Sequence, residues 1–409
     1  MKRTKQQSNA RDPIFPMLQV LFPILKGSLL LVGLLLPRIK KQANQMNHKL
    51  LSSIAILGSI LAFTSCKKED KNTDPSVKAY TVPSTYNFAN ANLTQSSQLV
   101  KMTVEIDAYL KKPNTGAFTN IVAIDQTVLN NMFSNTGNPF TDAALNNAGI
   151  NINNFTSEVS LYKAYADSVL IFNNGATASQ GVGGFVARGS GKIIVGPRGL
   201  EYGQAFTKGV MGAMLFKEAV NKLLSIKSLK ASDTIEAQAK WDAAFGLFGV
   251  PVDYDPAKTY ASTDTNRPLL WGGYLAERGK AISAGPIMFN AFLKGRAAIG
   301  GYDVAVRNEQ IDIILSKWEQ LAAASVLEYL SSPTTSANVG NKGAQLHALS
   351  EGYGFMVSFK YRPANSKLSA ADYQTLRSVF NKDLYELIND ASFSDLKNAQ
   401  NILKNSYGF

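Results

Sequence analysis

From residue 93 to the C-terminus, apolar residues return every third or fourth position and almost nowhere alternate. Ile311, Ile314, Leu315, Trp318, Leu321 and Val326 are the clearest case, a spacing that gathers apolar side chains onto one stripe of an α-helix. Similar patterns cover 93–110, 159–171, 201–225, 234–247, 269–281, 286–298, 343–359, 370–388 and 393–407. Ser369, with Asp372 three positions on, reads as a helix start, as does Ser392 before Phe393. Strand signals are few, and the best is 192–195, inside a Gly-rich stretch from 173 to 199. The prediction is an all-α protein of about ten helices joined mostly by short turns, with a Gly-rich central loop.

The N-terminal part reads as an address rather than as fold. The apolar stretch 14–36 is interrupted by Pro16, Pro23 and Lys26, which makes it a poor membrane span. From Met46 the chain has the order of a secretory signal peptide: Lys49, an apolar run over 50–63, then small residues. Its end, Phe63-Thr64-Ser65-Cys66, resembles the lipobox of bacterial lipoproteins, in which the Cys is lipidated and becomes the new N-terminus. Cys66 is the one cysteine of the chain, so it has no disulfide partner within it. The expected layout is a non-native upstream extension over 1–45, a lipoprotein signal peptide over 46–65, a polar tether over 66–79 and a helical domain over 80–409. A cytoplasmic arm with a membrane segment is the alternative reading of 1–45. Glu69 and Asp70, close behind Cys66, leave both the periplasmic face of the outer membrane and the cell surface open.

Of 42 Lys and Arg and 30 Asp and Glu, the first 65 residues hold nine bases and one acid. The rest carries 33 bases against 29 acids, a net of +4, which is no nucleic-acid footprint. After Cys66 there is one histidine, His347. Zinc proteases of the HExxH type, thiolate zinc sites and Cys–His proteases are therefore excluded, and no Gly-x-Ser-x-Gly elbow is present. Gly189-Ser-Gly-Lys192 lacks the earlier Gly and the following Ser or Thr of a phosphate-binding loop, where Val186 and Ile193 stand instead.

Three polar clusters remain. His347 and Glu351 stand at i and i+4, which places them on one helix face, where they can hold a metal ion or form a surface pair. Glu201, Gln204 and Lys208 share a face at i, i+3, i+7, as an inter-helix contact or a ligand site. Asp242 follows Trp241 in a segment whose aromatics suit a core, and it faces either that core or a cleft.

These clusters lie among Tyr86-Asn-Phe88, Glu201–Gly212, Trp241–Pro251, Trp271-Gly-Gly-Tyr274, Gly295–Ile299, Trp318-Glu319 and His347–Phe355. In this order they resemble an uncharacterised family of bacterial lipoproteins, the domain-of-unknown-function family 4856, over nearly all of residues 80–409. That family is similar in turn to the imelysin group, two-lobed helical lipoproteins linked to iron or haem uptake and once called metallopeptidases. The imelysin motif is Gly-x-His-x-x-Glu. Here His347 and Glu351 are one residue further apart, and Ala344 and Gln345 stand in front. Ala243 also stands where the family is expected to carry an acid. The resemblance implies an imelysin-like bundle of two lobes, roughly 80–251 and 267–409, parted at 252–266 where Pro, Asp and Thr accumulate.

The expected function is that of a non-enzymatic, outer-membrane-anchored binding lipoprotein with a polar cleft between the lobes. Its ligand would be an iron- or haem-related metal or a small molecule. Glu201, Gln204, Lys208, Asp242, His347 and Glu351 are the candidate lining, and His347 and Glu351 the candidate metal ligands. The implied partner is the membrane, through lipidated Cys66, with no nucleic acid; a protein or small-molecule partner is left open. The alternatives are a metal-dependent hydrolase of the imelysin type and a structural or adhesive surface protein.

Overall fold

Helices dominate the chain because the periodic stripes find one another. The computed structural model describes residues 74–409; the extension, the signal peptide, Cys66 and most of the tether lie outside the described residues. The first half contributes α1 (Thr94–Lys111), α2 (Gln126–Ser134), α3 (Ala143–Asn146), α4 (Val159–Phe172), α5 (Tyr202–Val210), α6 (Lys217–Ile226) and α7 (Thr234–Phe248). The second contributes α8 (Trp271–Glu277), α9 (Ala284–Gly300), α10 (Val304–Ser331), α11 (Lys342–Met356), α12 (Ala370–Phe380), α13 (Leu384–Asn389) and α14 (Ser394–Tyr407). Sixty per cent of the described residues are helical, and the all-α class holds. One continuous buried apolar cluster runs from Tyr86 to Tyr407, taking in residues on both sides of 252–266.

Local chemistry explains the starts and stops. Side chains of Asp125, Asp142, Asp303, Asn341, Ser369 and Asp383 each accept a backbone N–H in the first turn of the helix they precede. Gly249 ends α7 in the left-handed conformation, φ 78°, which a side chain would strain. The expected single helix over 370–388 is broken, because α12 ends at Phe380 and Asp383 caps the separate α13. The Gly-rich stretch is partly a sheet: β1 (Gly184–Arg188) pairs antiparallel with β2 (Gly191–Val195), with Phe185 opposite Ile194. Lys192 is a structural cation, its buried ammonium donating to the carbonyls of Thr115, Ala117 and Asn120 at 3.2, 3.0 and 2.6 Å.

α5 and α6 are joined through a turn of π geometry at Met211–Phe216, and every residue from 201 to 216 is buried. A π turn leaves carbonyls without their usual partners, and buried carbonyls need new ones. The Trp271 indole N–H donates to Met211 O at 2.8 Å, and Ser157 N–H to Ala213 O at 3.1 Å.

The C-terminal helix is fastened to α10 through a buried carboxylate. The hydroxyls of Tyr407 and Ser366 both donate to Oε1 of Glu319, beside a cleft of about 20 Å³ with room for roughly one water. Burial pushes the Glu319 pKa up, outweighing the pull of Ser366, Tyr407, Arg362 and Lys367. A carboxyl raised in the folded state adds stability that is complete below its ordinary value of 4.5 and is lost as pH rises through the folded value. Glu319→Gln keeps an acceptor oxygen and removes that loss. In thermal melts the variant is therefore expected to equal or exceed wild type at neutral pH, with any advantage closing below pH 4.5. A variant clearly less stable than wild type at neutral pH contradicts this account.

Candidate functional site

α5 and α11 pack side by side and run in the same direction, with residue 201 beside 347 and 350 and residue 208 beside 351 and 354. The approach is close because α11 carries Gly354, where a Cβ would lie 2.5 Å from Lys208 Cβ and 2.9 Å from Gly209 N. At the head of α5, the Glu201 backbone N–H donates to Ser350 Oγ at 2.8 Å. The helix N-terminus favours the negative charge of the Glu201 side chain.

The polar residues of the two helices then form a row. Glu201 Oε2 lies 2.7 Å from His347 Nδ1, and its other oxygen accepts from Asn114 Nδ2 at 3.1 Å. His347 Nε2 faces Glu351 Oε2 at 3.5 Å, and Glu351 Oε1 lies 3.4 Å from Lys208 Nζ. The Glu201 carboxylate on Nδ1 orients the ring, so that Nε2 is turned toward Glu351. His347 is the most open member, its side chain 15% exposed, against 3% for Glu201, 10% for Glu351 and 9% for Lys208. Burial pushes the Lys208 pKa down, but the Glu351 and Asp107 carboxylates outweigh it and hold the pKa above its usual value. The ammonium also lies 5.3 Å from the centre of the Tyr274 ring and 6.0 Å from that of Phe355. Gln204 is buried on the same helix, and its Oε1 has no hydrogen-bond partner.

Five of the six sequence candidates thus lie on the two facing helices, and four of them are in direct contact. Asp242 does not join them, which corrects its reading as cleft lining. It is buried in a separate ion pair: Arg296 Nε and Nη2 reach its two oxygens at 2.6 and 3.2 Å, and the Tyr86 hydroxyl donates to Oδ1 at 2.7 Å. The physical reason is that Arg296, on α9, offers the charge complement that makes so deep a carboxylate tolerable. Asn114, Ser350 and Tyr274 were missed from sequence. Asn114 and Ser350 carried no signal, whereas Tyr274 closes the Trp271-Gly-Gly-Tyr274 string.

Among the described residues, no group of three or more His, Cys, Asp and Glu side chains is placed to hold a metal ion. His347 and Glu351 are a pair of donors, with Glu201 on the far ring nitrogen. The family described as a domain of unknown function, DUF4856, matches residues 83–407. The chain belongs to the DUF4856 family. Both helices of the polar row, and the Asp242–Arg296 pair, fall inside the DUF4856 match. No curated protein and no solved structure matches the chain. None of the described helices is long and apolar enough to cross a membrane.

Proposed function

We propose that this DUF4856 domain is a non-enzymatic metal-binding protein of the cell envelope, taking a first-row divalent ion between His347 Nε2 and Glu351 Oε2. The observation that carries this reading is the arrangement around the imidazole. Glu201 fixes the ring, and the two free donor atoms are 3.5 Å apart. Two ligands each ~2.0–2.1 Å from one tetrahedral ion are separated by about 3.4 Å, which the distance between the pair matches. Imidazole and carboxylate together suit zinc or ferrous iron. Gln204 Oε1, buried on the facing helix α5, is an acceptor without a hydrogen-bond partner. Catalytic zinc sites use three protein ligands, and two donors favour carriage or sensing over the hydrolase alternative.

The test is metal analysis of the purified protein by mass spectrometry after loading and desalting. The expected result is stoichiometric zinc or iron that His347→Ala abolishes; a metal content unaffected by that change overturns the reading. Placement at the outer membrane rests on the basic–apolar–small–Cys order ending at Cys66. Metabolic labelling with a fatty acid is expected to mark the protein and to be lost in Cys66→Ser. Label that persists in the mutant refutes the anchor.

A further inference from the structure

We propose that Lys208 is a tethered internal cation that sets which ions the His347–Glu351 pair accepts, excluding Ca²⁺ and Mg²⁺ and admitting nitrogen-preferring ions such as Zn²⁺. This rests on the metal-binding reading of that pair. The two oxygens of Glu351 are divided: Oε2 faces His347 Nε2, while Oε1 lies 3.4 Å from the Lys208 ammonium. The lysine is not a surface residue that can swing away. It is 7% exposed, its Cβ is packed against the Gly354 backbone, and its Nζ lies between the carboxylate and the Tyr274 and Phe355 rings.

An ion that depends on carboxylate oxygens finds Glu351 already neutralised. Calcium and magnesium want several oxygen ligands and gain nothing from imidazole, so they meet repulsion from the ammonium with little return. Zinc gains a strong bond to Nε2, held in place by Glu201, and can share the carboxylate with Lys208. Lys208 is thus a specificity-determining residue at the cost of some affinity for every cation.

The experiment is calorimetric titration of Zn²⁺, Ca²⁺ and Mg²⁺ into chelator-stripped wild type, Lys208→Met, Lys208→Arg and His347→Ala proteins, with a circular dichroism melt of each. The expected result is that Lys208→Met tightens Zn²⁺ binding by more than about tenfold. It should also admit Ca²⁺ or Mg²⁺, while Lys208→Arg keeps the wild-type selectivity. Zinc that binds only to Lys208→Met, and not to wild type, overturns the proposal, because Lys208 would then exclude Zn²⁺ as well. If wild type binds Zn²⁺ through His347 but folded Lys208→Met binds it equally or more weakly and still rejects Ca²⁺ and Mg²⁺, the proposal falls and the metal reading stands. If neither wild type nor folded Lys208→Met binds any of the ions, both fall. Should Lys208→Met not fold, Lys208→Gln is read by the same outcomes.

Discussion

Replacing Asp242 by Ala is expected to remove about 3–5 kcal/mol of stability, more than any other single polar substitution considered for this domain. Its partner Arg296 has a side chain only 4% exposed, so the guanidinium would be left charged in a site without a counter-ion. The Phe88 ring, 5.2 Å away, offers weak compensation. The Tyr86 hydroxyl would lose its acceptor as well, although its ring would remain stacked on Phe245. Urea denaturation of wild type and Asp242→Ala measures this directly. A loss below about 1 kcal/mol would mean that Arg296 finds another partner and that the pair is not what ties the Tyr86–Phe88 segment to α7 and α9.

Gly354→Ala is expected to be destabilising by about 1–3 kcal/mol, against the direction that helix propensity sets. In an isolated helix, alanine would be better by about 1 kcal/mol. Here the new methyl would meet Lys208 Cβ and the Gly209 backbone nitrogen, and neither is the loose end of a flexible side chain. The two helices must separate, which lengthens the Lys208–Glu351 contact and the His347–Glu201 hydrogen bond together. Denaturant melts give the sign, and zinc titration of the same variant is expected to weaken. A stabilised variant would show that α5 and α11 are not in close backbone contact.

The sequence made the helices visible where a stripe is long, as over Ile311–Val326, and where a cap is explicit, as at Ser369. It hid the break between α12 and α13, because Asn381, Lys382 and Asp383 each tolerate a helix and interrupt no apolar position. It also hid β1, whose Gly184-Phe-Val-Ala-Arg188 is a short apolar run without alternation. For the site, periodicity showed which residues share a face but not which face they meet. Glu201 and His347, 146 residues apart, are joined only by tertiary packing. Asp242 gave the same polar-on-a-helix signal as Glu201, and its ion partner Arg296 lay unread within Gly295–Ile299. Buried ion pairs and candidate binding groups use the same side chains, so residue type alone does not separate them.

The π turn at Met211–Phe216 has a consequence for how the long central helix can vary. In a regular α-helix each residue turns the axis by about 100°, so one extra residue spread over a wide turn acts as a twist between the two halves. The row Glu201, Gln204 and Lys208 is thereby aimed at α11 independently of what α6 must present to its own neighbours, with the Trp271 and Ser157 donors holding the twist in place. Chain length at this point works as an angle. Gaining or losing one residue here would rotate the polar row away from His347 and Glu351 without altering any of the residues that compose it.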